Sequence, residues 1–208
     1  MGSPARRSQE ERSQETRTRV LRAAVRLTAQ GGVQQATIAA VAEEAGVSPG
    51  AIQHQFVDKS GLLLAVIDDG LEHLVSELTV SVPGDAPIEG RVDAFVDAAW
   101  RGYGGDFYRA ALAVLMHLRG DDSLPGAITE YADRTRQQID RIWMGLFWDA
   151  RVSRRVHIEA QRHAFTVMNG LALERLLFGN VPGVKSYLDR LKKDLGSSLG
   201  CVADDGQP

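Results

Sequence analysis

The chain has 208 residues, with 24 Lys/Arg against 27 Asp/Glu and a formal net charge of −3. That length suits one or two domains with a sizeable core. No apolar run reaches the length of a membrane span, no signal-peptide pattern opens the chain, and the single cysteine, Cys201, excludes a disulfide framework. A soluble cytoplasmic protein is expected. The charge is uneven: residues 1–60 hold eight Lys/Arg and six acids, about +2, leaving about −5 on the remainder.

In chain order, residues 1–15 are polar and lack apolar periodicity, which predicts a flexible N-terminal arm. Arg6 and Arg7 in it suit a minor groove, although a solvated tail fits the composition better. Helix 1 is predicted from Thr16 to Gln30, with Val20, Leu21, Ala24, Val25 and Leu27 inward and Gly31-Gly32 ending it. Thr37 caps a second helix whose Ile38, Val41, Ala42 and Ala45 fall on one face. Gly46 stops it. Ser48 and Pro49 supply a cap and a first-turn proline for helix 3. Ile52 and Phe56, four apart, anchor helix 3 inward. Pro49, Gly50, Gln53 and His54 then point outward, with Gln55 a further candidate. Small and amide side chains on a short anchored helix suit the DNA major groove, where Gln pairs bidentately with adenine.

Asp58 caps helix 4, whose long apolar face runs from Leu62 to Leu78. Lys59 in its first turn opposes the helix dipole, and a nearby phosphate would explain a cation there. Residues 82–87, VPGDAP, form the clearest linker. Helix 5 is expected over 88–103, helix 6 from Asp106 to near Arg119, and a loop over 120–123. Helix 7 should run from about Pro125 to Ala150. Ser153 caps helix 8, which should reach Phe178, and helix 9 should occupy 184–198. The tail from Gly200 is expected to be disordered. No strand pattern, internal repeat or low-complexity run is present.

Thr37–Lys59 resembles the DNA-binding core of the tetracycline-repressor (TetR) family. The match rests on Gly46-Val47-Ser48, Gly50-Ala51-Ile52, Phe56, Asp58-Lys59 and Leu62-Leu63. It is specific over roughly residues 16–70. Family members usually carry an aromatic residue where Gln53 stands and His where Gln55 stands, whereas this sequence has His one position earlier, at His54. The resemblance implies an all-α fold of about nine helices. A three-helix helix-turn-helix domain (16–62) would precede a larger ligand-binding and dimerisation domain (63–199), with the arm at 1–15 and the tail at 200–208. It implies DNA contact by Thr37, Ser48, Pro49, Gly50, Gln53, His54 and Lys59.

Helices 5 to 8 hold an unusual share of the aromatics, with a few polar groups among them, as in a small-molecule pocket between helices. The candidates are Trp100, Tyr103, Phe107, Met116, His117, Trp143, Phe147, His163, Met168 and Asn169. Ordinary core packing is the alternative for any one of them. Helix 8 is apolar over more than one face, and with helix 9 it suits a twofold four-helix interface. Phe165, Leu171, Ala172, Leu176, Leu188, Leu191 and Leu195 are the interface candidates.

The expected partners are a palindromic double-stranded DNA operator, a small mostly apolar effector and a second copy of the chain, with no membrane. The expected function is a sequence-specific regulator, a repressor released by its ligand. A ligand-dependent activator or corepressor-type regulator, and a helical binding protein without DNA function, are the alternatives. No catalytic residue, metal or cofactor is expected. Glu159 and His163 could share a helix face, but two ligands fall short of a zinc site, and no phosphate loop or nucleophile elbow appears.

Overall fold

The computed structural model describes residues 8–119 and 126–200, and among them there are nine α-helices and no strand. In order these are α1 (Gln9–Gly31), α2 (Ile38–Ala45), α3 (Pro49–Phe56), α4 (Lys59–Ser81), α5 (Ile88–Tyr103), α6 (Asp106–Arg119), α7 (Ala127–Leu146), α8 (Arg154–Phe178) and α9 (Val184–Ser198). Arg6, Arg7, the 120–123 loop and the tail beyond Gly200, with Cys201, lie outside the described residues.

The start of α1 departs from expectation. Residues 9–15 are not part of an arm; they are the first two turns of α1. The cause is local. The Ser8 hydroxyl accepts from Glu11 N at 3.1 Å, and the Glu11 carboxylate accepts from Ser8 N at 2.7 Å. This capping box satisfies two backbone donors that a helix start otherwise leaves open. The end of α7 also differs, because the helix stops at Leu146 rather than at Ala150.

The chain divides into two compact units, with a boundary inside α4 between Gly70 and Leu71. The first unit comprises α1 to α3, the first half of α4, and α6. Its core is the stripe predicted for α1 (Val20, Leu21, Ala24, Val25) against Val41, Ala42, Ile52, Phe56, Leu62 and Val66. Although the sequence grouped α6 with the body, it packs along α1 and buries Ala110, Ala111, Val114 and Leu118. Burial of Val114 and Leu118 stabilises by about 1.5–3 kcal/mol each.

The turn from α3 into α4 is tight. Asp58 N donates to the Phe56 carbonyl at 2.7 Å, and Val57 between them has φ 67° and ψ −62°. This is a γ-turn in its strained form, held by a β-branched residue. Asp58 Oδ1 then accepts from Gly61 N at 2.8 Å and caps α4 as expected. A Cβ on Gly61 would stand 2.1 Å from the Phe56 carbonyl oxygen, so only glycine fits there.

The second unit comprises the rest of α4, α5, α7, α8 and α9. Here α5 packs on both α8 and α9. At its centre the Phe95 ring stands edge-on to Trp143 (5.2 Å), Phe165 (5.9 Å) and Phe147 (6.1 Å). Edge-to-face pairs at such distances add about 0.5–1.5 kcal/mol each beyond burial. Arg91 on α5 is 1% exposed. It donates to both Asp149 oxygens at 2.7 Å and to the Leu146 carbonyl. Its positive charge therefore meets the last carbonyls of α7, the favourable end for a cation. The hydrogen bond from Arg91 holds the Asp149 carboxyl below its usual 3.8.

Candidate nucleic-acid interface

Each residue of the helix-turn-helix has a local reason for its place. Thr37 caps α2 by accepting from Ala40 N at 3.1 Å. Gly46 ends it with φ 63° and ψ 43°, a left-handed conformation that glycine adopts without penalty. Ser48 caps α3 by accepting from Ala51 N at 3.2 Å, and Pro49 occupies the first turn, where no backbone donor is needed. Ile52 and Phe56 anchor α3 at 0% and 5% exposure. The Arg17 guanidinium lies 4.7 Å from the Phe56 ring centre and adds a cation–π contact from α1.

The opposite face of α3 is open, because Pro49, Gly50, Gln53 and His54 are all exposed. Gly50 is informative. Its φ is not left-handed, and a Cβ there would meet nothing nearer than Ser48 Oγ at 3.9 Å. Neither backbone conformation nor packing within the chain calls for glycine. What glycine adds is room for a partner to approach the backbone. Lys59, half-buried, opens α4 just past the γ-turn.

Gln55 behaves differently. It is half-buried, and its Nε2 donates to the Ser13 hydroxyl at 2.8 Å and to the Ser13 carbonyl at 3.2 Å. Its amide is committed to α1. The only sequence hint of this bond is the capping box that extends α1 back to Ser13.

Residues 20–66 match the family model described as "Bacterial regulatory proteins, tetR family". Over 174 residues the chain is 28% identical to the HTH-type transcriptional regulator CymR of Pseudomonas putida, covering 84% of this chain and 86% of CymR. Residues 20–66 are thus a DNA-binding domain of the TetR type, and over most of its length the chain is similar to a regulator of that kind. It is a helix-turn-helix transcriptional regulator and not an enzyme. A second relative, the HTH-type transcriptional regulator BetI of Brucella suis, is 26% identical over 194 residues, 92% of this chain and 93% of BetI. Solved structures share the fold. The fatty acid degradation regulator FadR of Bacillus halodurans superposes with a TM-score of 0.68 at 15% identity, over 86% of this chain and 94% of FadR. A tetR-family regulatory protein from Rhodococcus RHA1 gives 0.60 at 17%, over 90% of this chain and 97% of its own.

The ten residues expected around a ligand fall in both units. Phe107, Met116 and His117 are on α6 in the first; Phe107 is half-buried, and Met116 and His117 are exposed. The other seven are in the second. Trp143, Phe147 and Met168 are within 1% of full burial and belong to the aromatic core. Tyr103 is buried and its hydroxyl accepts from Asn169 Nδ2 at 3.1 Å. Trp100 is half-buried with the Arg175 guanidinium 6.0 Å from its ring. His163 is exposed, 3.8 Å from Asp194. Between α7 and α8 there is a cavity of about 70 Å³ lined by Trp143 and His157.

Of the seven expected interface residues, Leu171, Ala172, Leu188, Leu191 and Leu195 are buried in the chain's own core. Phe165 packs on Phe95 and Tyr103. Leu176 is 41% exposed, beside Leu177 (63%) and Phe178 (77%). Glu159 pairs with Arg155 at 3.1 Å. No described helix is long and apolar enough to cross a membrane.

Proposed function

We propose that this regulator is a cytoplasmic homodimeric repressor that reads a palindromic operator with α3 and leaves it when a small, mostly apolar molecule binds the second unit. The observation that carries the DNA half is the open face of α3, with a glycine that the chain itself does not require. Gln53 takes the base-reading role, because an exposed amide can bond adenine at two points. Thr37, Ser48 and Lys59 take phosphates. Both hydroxyls spend their oxygens as helix caps, and each retains an O–H to donate.

Dimerisation is supported by the exposed apolar end of α8, where Leu173, Leu176, Leu177 and Phe178 follow one another, and by Tyr187 on α9. A monomer gains nothing by leaving such a patch in water. Two copies related by a twofold axis would present two α3 helices to half-sites about 34–36 Å apart. The effector works by linkage. It binds better to a dimer whose α3 helices are wrongly spaced, and so draws the population away from the operator. Trp100 and Trp143 report its entry. The test is selection of bound sequences from a random DNA pool. A palindrome with half-sites one helical turn apart is expected, and a pool with no enrichment would remove the reading.

A further inference from the structure

The described residues hold a second feature beside α3. The first two turns of α1 run along the flank of the recognition helix, and between them lies an open cleft of about 550 Å³. Arg12, Ser13 and Thr16 form one wall, at helical spacings of one, three and four residues. Ala51, His54 and Gln55 form the other, at the same spacings. The two walls are joined by the Gln55 bonds to Ser13. No carboxylate lines the cleft. Its ionisable groups are Arg12 and His54, and Arg12 is exposed, with its Nε 3.5 Å from the Ser8 carbonyl.

We infer that this cleft takes the sugar–phosphate backbone of one operator strand, with Arg12 as a phosphate-binding residue and Gln55 as the positioning residue that holds the walls together. The inference rests on the reading of α3 as the recognition helix. His54 lies both on the open face of α3 and in the cleft, so the two surfaces are continuous. A helix with side chains is about 10–12 Å across and the major groove about 12 Å wide. A helix seated there brings whatever lies along its flank onto the phosphates at the groove edge. Arg offers a planar fork of donors matched to phosphate oxygens. Thr16 adds little, because its hydroxyl donates to the Arg12 carbonyl at 2.9 Å. The segment 9–15 therefore serves as a rigid wall rather than a loose arm, and the capping box at Ser8 keeps it helical.

The experiment measures affinity of the full chain for a selected operator and for random-sequence duplex over a range of salt, for wild type, Arg12→Ala and Arg12→Lys. Loss of one phosphate contact lowers the slope of log K against log salt by about 0.9. The expected result for Arg12→Ala is a slope lower by about one and affinities about tenfold weaker on both duplexes. Arg12→Lys should keep the slope. Unchanged helicity by circular dichroism would place the loss at the contact. If Arg12→Ala matches wild type in slope and affinity while wild type binds its operator, the cleft inference is overturned and the α3 reading stands. A loss of binding that tracks a loss of helicity, in Arg12→Lys as well, would also overturn it. A wild type that binds neither duplex would overturn both readings.

Discussion

The open face of α3 and the aromatic cluster of the second unit differ in what explains their residues. In the cluster every prominent side chain has a partner within the chain. Phe95, Trp143, Phe147 and Phe165 pack on one another, and Tyr103 meets Asn169. Packing accounts for those rings, although the buried Trp143 Nε1 has no hydrogen-bond partner among the described residues. On α3 the opposite holds, because Gly50, Gln53 and His54 are exposed and a Cβ at Gly50 would meet nothing nearer than 3.9 Å. Residues that folding does not require are the ones proposed to contact DNA.

The largest expected effect lies on the stability side. Arg91→Ala removes a buried side chain, its bonds to Asp149 and its contact with the α7 terminus, and should destabilise by about 3 kcal/mol. Chemical denaturation checks this, and a loss below about 1 kcal/mol would show that Arg91 is not holding the second unit together. The same pair predicts an acid limb. The carboxyl of Asp149 is held below 3.8 in the folded chain, so its contribution is present above that value and is lost as pH falls through the lower, folded one. Asp149→Asn should flatten stability against pH below about 4, relative to wild type.

Gly50→Val separates the two regions most sharply. Operator affinity should fall at least tenfold, because a branched side chain blocks close approach. Melting temperature should hold or rise slightly, since the site is open and glycine is a poor helix former. A fall in stability with unchanged DNA affinity would reverse the assignment of this glycine.

A smaller effect is expected at Val57, where exposed backbone strain separates α3 from Lys59. Val57→Gly relieves the positive φ and should stabilise the first unit by about 1 kcal/mol, since the relief outweighs the added freedom of the unfolded chain. Thermal melts test it, and destabilisation would show that the γ-turn costs little.

The sequence revealed these regions unequally. The limits of α2 and α3 were legible because Thr37, Gly46, Ser48 and Pro49 are local signals whose meaning does not depend on tertiary context. The start of α1 was missed because Ser8-Gln9-Glu10-Glu11 carries a capping box inside a polar stretch, where periodicity is silent. Gln55 was unreadable for another reason: its bond to Ser13 spans 42 positions. Leu171 and Leu191 illustrate a third limit. An apolar stripe says that a helix face is covered, not whether the cover is the chain's own core, as here, or a second copy. The exposed cluster at Leu177 and Phe178 becomes visible only once the fold is known.

Gln53 is the residue through which α3 is proposed to read bases. The most direct test is the affinity of Gln53→Ala for the selected operator and for every single-base variant of one half-site. Discrimination should be lost at one base pair, by about 1–3 kcal/mol, and kept at all the others. An equal loss of affinity across every variant would contradict that role and make Gln53 a backbone contact.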